Sequence, residues 1–370
     1  VLEDDMRVRV WGTRGSVPSP IMPQAIREKM FMVLEGAKGI DLEDPQAIRD
    51  YLDGLRPIIY GTAGGNTTCI EIQADGKTII IDAGSGIRPL GDELMKGPCG
   101  RGMGEIYLLF THLHWDHIQG LPFFLPAYIP GNKIYVHSVH NAELILDTQM
   151  RSPTFSVTFD YMRSFADFEF RPLREGQPIT IGNVQIDNMK LPHPDDAYAY
   201  RLKRNEAIMV FASDAEYKKL DDSSIKPFIR FYSGADVLFF DSQYTVRESL
   251  VKQDWGHSSA LIGADMARRA GVKRLVLCHH DPTTSDRELV DILEQTIAYQ
   301  HMAGEEPSCE VIIGREGLTF DLEPIRTFRF SWVQDREAAI LVISNVFDQE
   351  NVTDVLLKVG QTGKLVMSGA

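Results

Sequence analysis

The chain has 370 residues, 44% hydrophobic and 24% charged, which is the ordinary composition of a globular protein. No apolar run approaches the roughly 20 residues needed to span a bilayer, so no membrane partner is expected. Lys and Arg total 38 against 52 Asp and Glu, and the net charge of −14 argues against a surface built to hold long nucleic acid. The four cysteines are widely spaced without a CxxC pair, which predicts reduced thiols in a cytoplasmic protein.

A strand opens the chain and a helical insertion follows it. Residues 6–11 alternate in polarity, as a half-buried strand does. Residues 20–60 break this β pattern. Asp44 followed by Pro45 is typical of a helix N-terminus, and residues 25–36 are also helical in composition. We therefore predict an inserted helical arm at residues 20–60.

Strands dominate the next part of the chain, and strands alternate with helices after residue 235. The first set of predicted strands covers residues 68–73, 78–82, 105–110, 133–137, 168–171, 184–190 and 207–212. Beyond it we predict strands at 237–240 and 274–278, a helix at 259–270 and a second helix that starts at Ser285, where Glu288 completes a capping box. This pattern predicts an α/β protein in which two packed sheets lie between outer helices, a four-layer αββα sandwich.

The expected domain organisation is one large domain, residues 1–325 including the arm, followed by a short C-terminal appendage, residues 326–370. Within the appendage, residues 338–346, 352–359 and 364–368 predict a strand–helix–strand unit. The sequence assigns no role to this appendage.

The clearest chemical signal is THLHWDH at residues 111–117, directly after an apolar strand. Ordering so many polar side chains at a strand end costs free energy that a bound metal ion offsets. Because side chains alternate along an extended chain, His112 and His114 can face one ion. Asp116 and His117 follow where the chain turns, and they offer an oxygen and a nitrogen to a second ion. HxHxDH as a unit therefore predicts a metal site.

The same motif resembles the metallo-β-lactamase superfamily, whose fold is the αββα sandwich. The resemblance implies three further ligands later in the chain: His193 in Leu-Pro-His-Pro, Asp214 in Phe-Ala-Ser-Asp-Ala-Glu, and His279 at a strand end. It also implies that Asp82, in Ile-Asp-Ala-Gly, supports the ligands without binding metal itself. His280 is the alternative to His279 as the last ligand. We favour His279, because its position after its strand matches that of His112 after the strand before the motif.

Two ligand sets joined by one carboxylate result from this resemblance. The implied ligands are His112, His114 and His193 for one ion, Asp116, His117 and His279 for the other, and Asp214 between them. No cysteine stands at a ligand position, which favours hard nitrogen and oxygen ligands around two divalent ions. We expect zinc, with manganese as the alternative.

Three further stretches resemble the group of tRNA 3′-processing endonucleases and phosphonate-pathway phosphodiesterases. They are GTRGS at 12–16, GGNTTC at 64–69 and WGHSS at 255–259. The resemblance implies that His257 acts as a general acid near the scissile phosphate. It also makes Arg14 and Asn66 candidates for phosphate contacts, although a plain surface charge is the alternative for Arg14.

Together these features predict a phosphodiesterase for small nucleotide diesters, cyclic or linear. A hydroxide held between two ions would attack phosphorus, with Asp116 or Asp214 orienting it, and His257 would protonate the leaving oxygen. The alternatives are a tRNA-processing endoribonuclease, a carboxyl or thioester hydrolase, and a metal-bearing sensor with little turnover. The chain lacks a long basic Gly/Pro-rich hairpin, which disfavours tRNA as the substrate.

Three roles stay open for the helical arm at residues 20–60: a lid over the site, a homodimer contact, or an insertion without a function.

Overall fold

A computed structural model describes residues 6–303, 309–322, 329–335, 338–344, 356–359 and 365–367. The chain divides into two compact units, Val1–Leu322 and Glu323–Ala370. All the motifs that carry chemistry lie in the first unit. Among the described residues, none of the helices combines the length and apolar character needed to cross a membrane.

The first unit contains two seven-stranded sheets. In spatial order the first sheet consists of β14 (Thr319–Leu322), β1 (Met6–Gly12), β2 (Cys69–Ala74), β3 (Lys77–Ile81), β4 (Glu105–Leu109), β5 (Lys133–Ser138) and β6 (Asp167–Pro172). Strands β3 to β6 are mutually parallel, and β14, β1, β2 and β3 pair antiparallel.

The second sheet repeats this mixture of parallel and antiparallel pairs. In spatial order it consists of β13 (Glu310–Ile313), β12 (Arg274–Cys278), β11 (Val237–Asp241), β10 (Ala207–Ala212), β9 (Ala197–Arg204), β8 (Val184–Leu191) and β7 (Ile179–Ile181). Strands β10 to β13 are parallel, and β7 to β10 are antiparallel.

Helices lie in the loops and over the outer faces of both sheets. They are α1 (Pro23–Gly36), α2 (Pro45–Asp53), α3 (Pro57–Tyr60), α4 (Ile87–Leu94), α5 (Trp115–Ile118), α6 (Ala142–Gln149), α7 (Phe159–Arg163), α8 (Asp222–Tyr232), α9 (Val246–Val251), α10 (Ala260–Ala270) and α11 (Asp286–Ala303). Helices α1 to α3 occupy the stretch expected to be a helical arm. The Asp44 carboxylate accepts a hydrogen bond from the Gln46 amide at 2.8 Å, as an N-cap does.

Apolar clusters hold the layers together. Val8 and Ile72 from the first sheet pack with Phe211 and Phe239 from the second, so the main core lies between the sheets. A second cluster joins the outer face of the second sheet to α8 and α10, and a third joins the outer face of the first sheet to α4, α6 and α7. The predicted four-layer αββα sandwich is confirmed.

Polar residues of the motifs lie within two residues of the ends of parallel strands in both sheets. Asp82 follows β3, Asp214 comes two residues after β10, and His279 follows β12. Their φ angles are 62°, 63° and 57°, a left-handed conformation that few non-glycine residues adopt. Such turns end each strand sharply and bring side chains from separate strands to one edge of the sandwich.

The second unit is a four-stranded antiparallel sheet. Its strands, in order, are β15 (Arg329–Asp335), β16 (Ala338–Ser344), β17 (Leu356–Val359) and β18 (Leu365–Met367). The predicted strand–helix–strand order is wrong where β17 forms, because these residues pair with both β16 and β18. The segment is rich in valine, which favours strands. Residues 352–355 lie outside the described residues.

Candidate metal centre

Nitrogen and carboxylate oxygen atoms from all seven predicted ligands converge at one edge of the two sheets. They form overlapping groups of three whose atoms lie within 4.8 Å of one another. The groups are His112 with His114 and His193, His112 with His117 and Asp214, and Asp116 with His117 and His279.

The first histidine group contains the two alternating residues of the motif and one distant loop residue. The His193 Nε2 atom lies 3.1 Å from the His114 Nδ1 atom. The ring of His112 is centred 4.5 Å from that of His114 and 4.9 Å from that of His193. Imidazoles at these separations can share one ion.

The second group is built around a carboxylate. The Asp116 Oδ2 atom lies 3.2 Å from His279 Nε2 and 3.4 Å from His117 Nε2. Asp214 connects this group to the first, since its Oδ1 atom lies 3.1 Å from His279 Nε2, 3.4 Å from His117 Nε2 and 3.9 Å from His112 Nε2. The Asp214 carboxylate therefore lies within reach of histidines of both groups.

A buried carboxylate holds one of the ligand imidazoles in place. The His117 Nδ1 atom donates to Asp82 Oδ2 at 2.8 Å, and the backbone N–H and hydroxyl of Thr111 donate to the same carboxylate at 2.8 Å each. A proton on Nδ1 leaves Nε2 free to bind a metal ion. Asp82 thus has the supporting contacts that the sequence predicted.

Two further imidazoles are oriented in the same way. The His193 Nδ1 atom donates to the backbone carbonyl of Gly256 at 2.9 Å, and the His279 Nδ1 atom donates to Gln243 Oε1 at 2.9 Å. Their Nε2 atoms therefore face the cluster with a lone pair available. Gln243 has no motif of its own and was missed in the sequence.

The cluster carries buried polar atoms without partners. The Nε2 atoms of His112 and His117 and the Oδ2 atom of Asp214 are buried and accept no hydrogen bond. Unpaired buried groups cost roughly 1–3 kcal/mol each. Burial alone would raise the pKa of Asp214, but the surrounding histidines outweigh it and hold the pKa well below its usual value. Burial opposes protonation of His117 and His279, but Asp116 and Asp214 outweigh it and raise the pKa of His279 to about 9 and that of His117 well above its usual value. The carboxylates thus favour positive charge at this point, which a divalent cation would supply in place of these protons.

The rings of His279 and His280 lie in different surroundings, and those of His279 suit a ligand better. His279 faces the cluster, whereas the Nε2 atom of His280 donates to the carbonyl of Gly314 at 2.9 Å. Burial lowers the pKa of His280 to about 3, so its ring is neutral. His280 belongs to none of the groups of close ligand atoms found among the described residues.

His257 lies at the margin of the cluster and is held by a residue that the sequence did not reveal. Its Nδ1 atom is 2.8 Å from Asp241 Oδ2, and its ring is centred 4.9 Å from that of His279 and 5.3 Å from that of His193. Asp241 is fully buried at the end of β11. His257 also approaches the ligand atoms closely enough to bind an ion itself, so geometry allows either role.

Arg14 is not placed as a phosphate contact, which corrects the prediction for this residue. Its side chain is buried, and its guanidinium donates to the carbonyls of Gly64, Asp281 and Thr284 at 3.0, 3.1 and 2.8 Å. The residue ties two loops together. Asn66 lies on the neighbouring turn, where its amide oxygen accepts from the Ser85 hydroxyl at 3.0 Å, and its contact with substrate stays a prediction.

Residues 77–280 match the family described as "Beta-lactamase superfamily domain". This is more than half of the chain, which therefore belongs to the beta-lactamase superfamily, and the resemblance seen in its motifs is confirmed. The chain is a metal-dependent hydrolase, and divalent ions are the cofactors that its donor set fits.

Similar proteins support this assignment. A protein named "Ribonuclease Z" from Bradyrhizobium diazoefficiens is 23% identical over 273 residues, which is 62% of this chain and 88% of the relative. That relative's name denotes action on RNA, so it gives no support to the expectation that long nucleic acid is excluded as a partner.

Two solved structures share the fold. The metallo-beta-lactamase fold protein YhfI from Bacillus subtilis is 18% identical with a TM-score of 0.56, covering 86% of this chain and 99% of its own. A diphosphatase of the PhnP family is 17% identical with a TM-score of 0.52, covering 86% of this chain and 98% of its own. At these identities the likeness shows the fold alone.

Proposed function

We propose that the chain is a phosphodiesterase whose site, in the proposed hydrolase domain of residues 1–325, holds two divalent ions. Two groups of three donors joined by the Asp214 carboxylate support two ions, because one ion accommodates about four such ligands. The nitrogen and oxygen donors suit zinc, with manganese as the alternative. A bound ion lowers the pKa of a coordinated water and offsets negative charge on phosphorus.

The observation that carries the proposal for phosphodiesters is the pair formed by His257 and Asp241. A hydrogen bond from Nδ1 to the buried carboxylate at 2.8 Å directs the other ring nitrogen away from Asp241. That Nε2 atom can hold the proton that a leaving oxygen takes as its bond to phosphorus breaks. Asp116 and Asp214 are the carboxylates that would orient the attacking water.

A proton donor of this kind distinguishes between the candidate reactions. A ribose alkoxide is a poor leaving group that requires protonation, whereas a thiolate leaves a thioester without it. The site therefore favours nucleotide diesters over thioesters. The name of the curated relatives, "Ribonuclease Z", agrees with chemistry at phosphorus.

A tRNA-processing endoribonuclease is the second candidate, and the relatives named "Ribonuclease Z" are the observation that favours it. The net charge of −14 disfavours binding of a long polyanion, and the Arg14 guanidinium is held by backbone carbonyls. We therefore place small nucleotide diesters first.

The test is turnover of a substrate panel by the zinc-loaded and the manganese-loaded protein. The panel contains methyl p-nitrophenyl phosphate, p-nitrophenyl phosphate, a dinucleotide, a cyclic dinucleotide, a precursor tRNA and an acyl thioester. We expect the diesters to be cleaved in preference to the monoester. Equal turnover of the monoester and its methyl diester, or activity on the thioester alone, would contradict the proposal. Activity confined to precursor tRNA would establish the second candidate.

A further inference from the structure

The metal centre opens to solvent on one side. His112, His117, His279 and Asp214 are buried, whereas the side chain of His114 is 40% exposed. His193, which contacts His114, is only partly buried. A substrate therefore reaches the cluster past these last two imidazoles.

Two exposed tryptophans stand beside this opening. Trp115 is 61% exposed and directly follows His114 in the chain. Trp255 is 63% exposed and precedes Gly256, whose carbonyl accepts the hydrogen bond from His193. A Cβ atom on Gly256 would lie only 2.2 Å from His193 Nδ1, so the loop that carries Trp255 packs directly on this imidazole.

Both indoles are attached to backbone that is held in place. Trp115 is the first residue of α5 and lies between two proposed ligands, so its position is fixed relative to the metal centre. The Glu216 carboxylate accepts from the backbone N–H groups of Asp254 and Gly256 at 3.1 Å each, one on either side of Trp255. A large aromatic side chain on fixed backbone has only two rotatable bonds to order, so it binds flat ligands at a small entropic cost.

Two of the lysines near the opening are paired with carboxylates, whereas Lys219, which lines the groove beside His193, has no carboxylate partner among the described residues. Lys218 pairs with Asp254, the residue before Trp255. Lys252 lies 3.7 Å from Asp281. Arg14 is buried against backbone carbonyls. The exposed aromatic side chains are therefore the main groups at the opening that can contact the parts of a substrate outside the phosphate.

We infer that Trp115 and Trp255 are base-stacking residues and that the substrate class is a phosphodiester joining two nucleosides. This inference rests on the proposed phosphodiesterase function. Trp115 adjoins His114 in the chain and Trp255 adjoins Gly256, which packs on His193, so the two indoles border the exposed side of the metal centre from separate loops. Stacking on indole tolerates any base, because every base has a π face.

The kinetic test uses the zinc-loaded full chain and adenylyl-adenosine as the diester. Trp115→Ala and Trp255→Ala should each raise KM about five- to tenfold, the lower part of the range for stacking one base. Trp115→Phe and Trp255→Phe should retain most of the affinity. Phe31→Ala is the control, since this aromatic residue is 65% exposed on α1 in the arm, and its KM should equal that of the wild type.

A binding test separates this inference from the proposed function. Phosphorothioate-linked adenylyl-adenosine should quench the tryptophan fluorescence of the wild type, and each Trp→Ala variant should need about five- to tenfold more ligand. A half-quenching ligand concentration that stays at the wild-type value in both Ala variants, or equal losses for the Phe and Ala variants, would overturn the inference. Equal kcat/KM for adenylyl-adenosine and 3′,5′-cyclic adenosine monophosphate would overturn the two-nucleoside class. A protein that binds the analogue through both indoles but cleaves no diester would refute only the proposed function.

Discussion

Replacing His257 with alanine tests the proposed proton donor. The imidazole is nine-tenths buried and its Nδ1 is 2.8 Å from Asp241. Asp241 also accepts from the backbone N–H groups of Gln243 and Ala215, at 3.0 and 3.2 Å. Its carboxylate therefore keeps partners in His257→Ala, and the surrounding strand ends should hold their positions. The change removes a proton donor and little else.

The size of the effect depends on the leaving group. A positioned general acid contributes roughly 10²–10⁴-fold when the departing oxygen is a poor leaving group, as a ribose alkoxide is. This corresponds to about 3–5 kcal/mol of activation free energy. p-Nitrophenolate leaves without a proton, so kcat for methyl p-nitrophenyl phosphate should fall by no more than about threefold. Asp241→Asn replaces the carboxylate that accepts from the His257 ring, and it should also lower kcat for the dinucleotide.

The assay compares kcat on adenylyl-adenosine and on methyl p-nitrophenyl phosphate, with zinc content measured on the same preparations. Equal losses on both substrates would show that His257 binds substrate or holds structure. Loss of zinc in His257→Ala would show that the residue is a ligand, as its distances to the cluster also allow. Either result would refute the role of proton donor.

Three further variants test individual contacts. Burial lowers the pKa of His137 to about 4, below the ordinary 6.5, so the stability that its neutral form gives the fold is complete above pH 6.5 and is lost as the pH falls towards 4. In urea unfolding of the metal-free protein, the loss of stability between pH 7 and pH 5 should be about 2 kcal/mol smaller for His137→Leu than for the wild type. An unchanged loss would refute the lowered pKa. Arg14→Met should lower the free energy of unfolding by about 2–4 kcal/mol, because three carbonyls lose their donor, and should leave KM for methyl p-nitrophenyl phosphate unchanged. A raised KM at unchanged stability would show that Arg14 contacts phosphate after all. Gly256→Ala should lower the affinity for zinc about 10-fold or more in competition with a chelator, because the new methyl group displaces the His193 ring. Unchanged affinity would show that the loop of Gly256 moves and the His193 ring stays in place.

The sequence predicted the parts of the site that are local in the chain. The HxHxDH motif needs only strand alternation and a turn, so His112, His114, Asp116 and His117 follow from spacing alone. The more distant ligands, such as Asp214, came from the resemblance to a family. The structure brings them together because the strands that precede them end at the same edge of the sandwich.

Contacts between distant segments could not be predicted in the same way. Asp241 ends an apolar strand and belongs to no motif. Its role as the partner of His257 depends on the loop of His257 crossing the end of β11. The backbone carbonyls that receive the Arg14 guanidinium are equally invisible in a sequence. A turn arginine near a candidate site therefore suggested a phosphate ligand that the fold does not provide.

The missed elements have local explanations. The strand β9 (Ala197–Arg204) carries Arg201, Lys203 and Arg204, and these charges obscured a strand that is mostly buried. Its central position between β8 and β10 overrides the weak local pattern. The strand β17 was predicted as a helix because its apolar run is too short to show whether the hydrophobic residues recur with the period of a helix or of a strand.

Metal stoichiometry tests the central claim most directly. The purified chain is loaded with zinc, dialysed against metal-free buffer and analysed for zinc per chain, together with Asp214→Ala as the variant that removes the shared carboxylate. Two ions per wild-type chain, and fewer in the variant together with loss of diester cleavage, are the predicted results. One ion or none at saturation in the wild type, or full diester cleavage by the metal-free chain, would contradict a two-ion phosphodiesterase.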